Sequence, residues 1–259
     1  MIKRVALLAT GDEIINGDIL NSNTRDIAQQ LIQHHIQPGI HMTVSDTQTE
    51  IEHAIHYLLT QHEALITFGG LGPTSDDRTR FALSQALNQP LCFHEPSWQH
   101  NIKRMQEYAQ RRGIVLTEIP ECAKQQALFP EHATVLTNHN GTANACYFWA
   151  DEKFICMLPG PPNECMPIFI EHVLPCLMTA SYNNQLIRKS WWLTGASESA
   201  IAELLDPIAR QFPTCSIGYR FHRPDLEVKL VSADEQALEN LTIQVLAIIK
   251  SYLKVPSAS

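Results

Sequence analysis

The short run Ala64-Leu65-Ile66-Thr67-Phe68 leads directly into Gly69-Gly70-Leu71-Gly72-Pro73-Thr74-Ser75-Asp76-Asp77-Arg78-Thr79-Arg80. A nearly continuous apolar run of that length reads as a strand buried on both faces, as in parallel sheets covered by helices. Three glycines within the next four residues allow a sharp turn and close approach to a ligand, and Pro73 fixes the turn. Thr74 to Asp77 can begin a helix. A glycine turn feeding a helix presents free N–H groups and a positive dipole end, which suits phosphate. Asp76 and Asp77 would repel that phosphate unless a divalent cation lay between them. The segment therefore points to metal-assisted phosphate chemistry, and leaves open a plain strand–helix turn with Asp as helix cap.

Two more apolar runs end in special turns. Val5 to Thr10 enters Gly11-Asp12-Glu13, and Phe154 to Leu158 enters Pro159-Gly160-Pro161-Pro162-Asn163-Glu164. Ligands of open α/β sheets bind just past the carboxyl ends of the strands. Between these runs the pattern alternates. A helix capped by Asn21 or Ser22 runs to about His35, with Ile27, Leu31 and Ile36 at helical spacing. Gly39 to Val44 is a strand, and Thr49 to Gln61 a helix. That order implies a mainly parallel sheet in three layers. A helix follows Arg80 through Leu87, Pro90 and Pro96 interrupt the pattern, and a polar helix spans about Ser97 to Arg112. From Glu118 to Ala150 the chain reads as loops and short strands lying over the sheet's ligand edge, with Ala133 to Thr137 and Ala145 to Trp149 as a pair. Thr179 to Gln185 is polar and turn-prone and marks a boundary. Beyond it, Leu186–Leu193, Ser197–Arg210, Cys215–Phe221, Leu226–Ser232 and a last helix carrying Leu238, Leu241, Val245, Ile248, Ile249 and Leu253 form a small βαββα unit. Two domains result, residues 1–178 and 186–259.

Composition narrows the classes. The 259 residues carry a formal net charge of −8, whereas a general nucleic-acid binder needs a basic footprint. No apolar run of 18 residues exists to span a bilayer, and no secretory leader precedes the first strand. The expectation is a cytoplasmic protein without nucleic-acid or membrane partners. Seven cysteines with no C-x-x-C pair favour reduced thiols. Cys156 falls inside an apolar strand and reads as core. His53 and His56 are three apart on a helix, within reach of one metal, but Ile51, Ala54, Ile55, Leu58 and Leu59 define the buried face and place both on the solvated one.

Seven blocks in order resemble the CinA (competence-damage-inducible protein) family: Thr10 to Glu13, Asn21 to Thr24, Val44 to Asp46, Gly69 to Asp77, Lys124 to Pro130, Gly141 to Ala143 and Leu158 to Glu164. The resemblance is strong over residues 1 to 178. It implies the molybdopterin-binding fold shared with MoaB and MogA, followed by a KH-like domain that begins here at Thr194-Gly195-Ala196-Ser197. That segment lacks the GXXG loop with which KH modules grip nucleic acid, so a packing or dimerisation role is expected of it. Many CinA-like proteins carry a further domain with nicotinamide mononucleotide deamidase activity, and no stretch of this sequence resembles it.

The resemblance also implies an activity: divalent-metal-dependent (Mg, Mn or Co) hydrolysis of ADP-ribose or a related nucleoside diphosphate derivative. The alternatives are a molybdopterin-binding or adenylylating protein, and a non-catalytic nucleotide binder. Asp77 matches the family's closing aspartate beside the substrate phosphates and Asp46 its second acidic position, with a helix cap as the alternative for Asp46. Asp12 and Glu13 match the first acidic turn, either to bind metal or to hold the loop, and Asp12 is the third metal candidate. Gly69, Gly70, Gly72 and Thr74 would cradle phosphate. Asn21 and Asn23 would contact substrate or cap a helix. Lys124 would stabilise the leaving phosphate or only be solvated at the surface, Gly160 and Pro161 would shape the pocket wall, and Glu164 would bind polar ligand groups or only favour a helix N-terminus. Asp77→Asn is expected to cut turnover while barely changing ligand-free stability. The sequence departs from the family where Gly-Thr-Ala-Pro-Gly becomes Gly141-Thr142-Ala143-Asn144-Ala145, and where Glu121-Cys122-Ala123 precedes Lys124.

Overall fold

The structure, a computed structural model, describes residues 1–115, 118–181 and 186–253. The chain divides into two compact units, Met1–Asn183 and Asn184–Ser259. Within the polar stretch at 179–185, residues 182–185 lie outside the described residues.

The first unit is built on six strands: β1 (Arg4–Thr10), β2 (Gln37–Val44), β3 (Ala64–Phe68) and then, after the short pair β4 (Leu91–Phe93) and β5 (Leu128–Pro130), β6 (Thr134–Leu136), β7 (Ala145–Ala150) and β8 (Lys153–Leu158). The sheet order is β2-β1-β3-β8-β7-β6. Neighbours from β2 to β8 are parallel, and β7 and β6 add antiparallel strands at one edge. The sheet is thus mixed and mostly parallel.

Alternation along the central strands explains the layers, because successive side chains point to opposite faces. Val5, Leu7 and Ala9 join Ile66 and Phe68 in one core with Ile27 and Leu31 of α2 (Ser22–Gln33). Ala6, Leu8 and Leu65 join the other, with Ile51, Ile55 and Leu58 of α3 (Gln48–Gln61) and Leu83 of α4 (Thr79–Leu87). Truncating one of these leucines to alanine would cost about 2–5 kcal/mol. The short helix α1 (Asp12–Ile15) precedes α2. Helix α5 (Glu95–Arg112) starts two residues earlier than its sequence pattern, because Pro96 sits in the first turn, where its missing N–H is harmless. After β8, α6 (Pro162–Ile168) and α7 (Leu174–Ala180) are joined by a π turn at Phe169–Val173. Pro167 and Pro175 flank that turn and each lacks an N–H.

The second unit runs β9 (Ile187–Thr194), α8 (Glu198–Ala209), β10 (Cys215–His222), β11 (Asp225–Ser232) and α9 (Glu235–Ile249). Its sheet is antiparallel in the order β10-β11-β9. Leu193, Leu226, Val228 and Leu230 pack there with Ile201 and Leu205 of α8 and Leu238, Leu241, Val245 and Ile249 of α9. Asp234 caps α9 by accepting from the Ala237 N–H. Among the described residues, no helix is long and apolar enough to cross a membrane.

Candidate functional site

The C-terminal ends of β1, β2, β3 and β8 converge on a cleft of about 450 Å³, a size that suits a small ligand. Its walls are the β1 turn (Thr10, Gly11, Glu13), Asp46 past β2, the glycine turn from Gly69 to Pro73 with Asp76 and Asp77, and the β8 turn from Pro159 to Pro162 with Glu164. Asn23, Phe68, Gln126, Thr142 and Ala143 complete it, with Ile14 and Ile19 as an apolar lip.

The glycine turn depends on its glycines. Gly69 and Gly70 have φ of 103° and 62°, values that L side chains rarely adopt. A Cβ on Gly69 would collide with the Thr10 carbonyl oxygen, and one on Gly70 with Thr79 Oγ1. Thr10 and Thr79 are buried and share a hydrogen bond of 2.9 Å, which ties the end of β1 to the start of α4.

Helix α4 begins at Thr79, so Thr74 to Asp77 form a turn and not the first turn of a helix. Asp77 closes that turn. Its Oδ1 accepts from the Gly72 N–H at 2.6 Å, and its Oδ2 from the Thr74 N–H at 2.9 Å and Thr74 Oγ1 at 2.6 Å. The N–H groups of Gly72 and Thr74, expected to face phosphate, are therefore engaged by Asp77. Thr74 itself lies outside the cleft lining.

Beneath the turn lies Arg80, 1% exposed. Its guanidinium donates to the Leu71 carbonyl at 2.8 Å and the Gly72 carbonyl at 3.4 Å. Burial pushes its pKa down to about 10, partly offset by the nearby Asp77 charge, so it remains charged at neutral pH. Gln125 Nε2 reinforces the turn from the other side, donating to the carbonyls of Gly72 at 3.0 Å and Thr74 at 2.8 Å. Neither Arg80 nor Gln125 was singled out from the sequence, although an arginine three residues past an aspartate at a strand–helix turn is a usable signal.

The acidic positions separate. Asp46 lines the cleft, half-buried, and its Oδ2 accepts from the Asp12 N–H at 3.0 Å. Burial pushes its carboxyl up, the Asp12 N–H pulls it down, and the charges of Asp12, Glu13 and Asp76 push it up again; the net shift is upward. Asp12 does not line the cleft: its Oδ1 accepts from the Asp46 N–H at 3.2 Å, and Glu13 takes the lining position. Asp12, Asp46 and Asp77 do not assemble as a three-ligand group, and among the described residues no three His, Cys, Asp or Glu side chains do. The donor set that is present nonetheless fits magnesium or manganese: hard carboxylate oxygens, one or two of which suffice when water and phosphate supply the other ligands.

Other expected residues sort as follows. Gly69, Gly70, Gly72, Gly160, Pro161, Asn23 and Glu164 line the cleft. Gly160 packs against Gly69, a built Cβ lying 3.4 Å from the Gly69 Cα. Glu164 accepts from Asn138 Nδ2 at 2.6 Å. Asn21 is outside the lining, accepting from the Thr24 N–H at 3.1 Å as the cap of α2. Lys124 is also outside, donating to Glu121 Oε1 at 2.8 Å on an exposed 3₁₀ turn. Gln126, two residues on, reaches the cleft instead. The altered loop at 141–145 is held by Asn144, whose Oδ1 accepts from the Asn138 N–H and whose Nδ2 donates to Ser97 Oγ, at 2.8 and 2.9 Å. No cysteine joins the site: burial pushes the Cys146 and Cys165 thiols up to about 12 and Cys156 well above its usual value.

The family model described as "Probable molybdopterin binding domain" matches residues 6–179. A Clostridium beijerinckii protein described as competence-damage inducible is 33% identical over 250 residues, covering 92% of this chain and 59% of the relative. A CinA-like protein of Geobacter sulfurreducens is 32% identical over 240 residues, covering 91% and 56%. The chain thus spans less than two thirds of the length of these relatives. Among solved structures, the protein CinA of unknown function from Thermoplasma acidophilum superposes with a TM-score of 0.58 at 24% identity, covering 68% of this chain and 98% of that one; the likeness is one of fold.

Proposed function

We propose a function from the premise that the chain belongs to the CinA family and carries a MoaB/MogA-like molybdopterin-binding domain. The proposed activity is metal-dependent hydrolysis of ADP-ribose, or a related nucleoside diphosphate derivative, to AMP and a sugar phosphate.

One observation carries this reading. Among the described residues lining the cleft, Glu13, Asp46, Asp76, Asp77 and Glu164 bear carboxylates and none is basic. A diphosphate would be repelled from such a wall unless cations accompanied it. The glycine turn beside those carboxylates is the kind of backbone that approaches phosphate closely. Asp46 and Asp77 are the residues that would hold a divalent cation. Such an ion, when bound, neutralises bridging phosphate oxygens and lowers the pKa of an attacking water. Asp46 or Asp77 would also orient that water toward phosphorus from the cleft wall, where both side chains lie. The buried Arg80 keeps the turn in shape from below.

The test is AMP release from ADP-ribose with magnesium, manganese or cobalt and with chelator. Metal-dependent release supports the reading. No release from ADP-ribose, FAD or related diphosphates with any of the three ions would end it.

A second reading, molybdopterin binding, is favoured by the family description over residues 6–179. A thermal-shift panel of molybdopterin, AMP and ADP-ribose separates the two, because only a ligand that binds the folded chain raises its melting temperature. The second unit fits a KH-like packing or dimerisation module, which light scattering on the full chain would test.

A further inference from the structure

Asn23 and Gln126 both line the cleft and are 5% and 1% exposed. Asn23 Nδ2 donates to the Gly160 carbonyl at 2.7 Å. Gln126 Nε2 donates to Thr142 Oγ1 at 3.2 Å and the Leu71 carbonyl at 3.5 Å. These bonds fix which end of each amide is nitrogen. Asn23 Oδ1 and Gln126 Oε1 are then left with no hydrogen-bond partner. A buried acceptor without a donor is destabilising, and native proteins hold few of them without a functional reason.

The two amides flank the glycine turn, one through Gly160, which packs on Gly69, and the other through Leu71. What they lack is a donor. Phosphate oxygens and carboxylates are acceptors and cannot fill that role. Ribose hydroxyls and an amino group on the base can, and the apolar contact that Phe68, Leu71, Ala143 and Pro159 of the same lining offer to a flat ring favours the base. Resting on the nucleotide reading above, we infer that Asn23 and Gln126 form a subsite that selects the amino-bearing edge of the ligand's base.

The test compares AMP with IMP, which replaces the amino group by an oxo group, by calorimetry on the full chain with magnesium. AMP is expected to bind tighter by at least about tenfold, since a site built around a hydrogen bond rejects an analogue that lacks it. Gln126→Met keeps the side-chain length and removes the acceptor, so the AMP-to-IMP ratio should fall toward one. Gln126→Glu keeps an acceptor and should retain a preference for AMP. A merely structural role would weaken both nucleotides alike and leave the ratio unmoved. Equal affinity of the wild type for AMP and IMP overturns the inference, as does a preference that survives both Gln126→Met and Asn23→Leu. Selective AMP binding without hydrolysis of ADP-ribose would leave this subsite standing while the hydrolase reading fell. Binding of neither nucleotide would overturn the subsite, while the hydrolase reading stands or falls on AMP release from ADP-ribose.

Discussion

Asp12 and Asp46, at the ends of neighbouring parallel strands, hold each other by reciprocal hydrogen bonds: the N–H of each donates to the carboxylate of the other, at 3.0 and 3.2 Å. The pair locks the β1 and β2 turns together and leaves Asp46 facing the cleft among like charges.

That crowding has a measurable sign. The Asp46 carboxyl is raised by burial and by Asp12, Glu13 and Asp76, against the Asp12 N–H. The folded chain therefore holds this proton more tightly than the unfolded chain does. Stability should fall as pH rises from the ordinary carboxylate pKa, about 4, through the raised folded value. Asp46→Asn abolishes that loss. In chelator its melting temperature should exceed that of the wild type above this window and converge with it below. Magnesium should raise the wild type and leave the variant unmoved. A variant melting below the wild type at neutral pH would mean that the Asp12 bond outweighs the repulsion.

Asp77→Asn, expected from sequence alone to be silent in stability, should not be. Asp77 serves three donors with two oxygens. An amide offers one oxygen, so its NH₂ would face either the Gly72 N–H or the donors of Thr74. A loss of about 1 kcal/mol is expected without ligand, in addition to lost turnover. Denaturant melts of the apo protein check this, and an unchanged midpoint would show that the turn does not need the carboxylate.

The turn glycines are not equivalent. Gly69→Ala places a Cβ against the Thr10 carbonyl at φ 103°, and a cost above the roughly 1–3 kcal/mol of backbone strain alone is expected. At Gly160 the added methyl would sit 3.4 Å from the Gly69 Cα, an ordinary contact. Gly160→Ala should fold with a melting temperature close to the wild type, while Gly69→Ala should lose yield or melt far lower. Equal melting of the two variants would contradict the geometry.

How much of this was legible follows from what each signal measures. Apolar runs mark strands buried on both faces, so β1, β3 and β8 were readable almost to the residue. The cap of α2 was readable to one of two residues, Asn21 or Ser22, both of which can cap, and it is the Asn21 oxygen that reaches the Thr24 N–H. The antiparallel pair β6 and β7 was readable as a pair. The start of α4 was not, since Asp77 competes for the N–H groups a helix would leave free, and composition does not say which partner wins. Lys124 and Gln126 show the same limit within the site. Adjacent turns of a 3₁₀ segment send one side chain to solvent and the other to the cleft, and a tight turn has no periodicity from which to read the face.

Lys124 supplies the last prediction. Its ammonium pairs with Glu121, at 2.8 Å, with the two side chains 48% and 83% exposed. An exposed pair of that kind is worth about 0–1 kcal/mol, so Lys124→Ala should leave the melting temperature nearly unchanged. Lys124 does not line the cleft, and no basic side chain among the described lining residues replaces it. In the proposed hydrolysis, charge on a leaving phosphate would then be met by the cation and by backbone donors. Lys124→Ala should therefore keep kcat for ADP-ribose within about twofold of the wild type, whereas removing one directly acting electrostatic group typically costs about 10²–10³. Steady-state kinetics of the variant at saturating magnesium decide the matter. A loss in the larger range, with the fold intact, would mean that the 3₁₀ turn rearranges on substrate binding and delivers Lys124 to the phosphate.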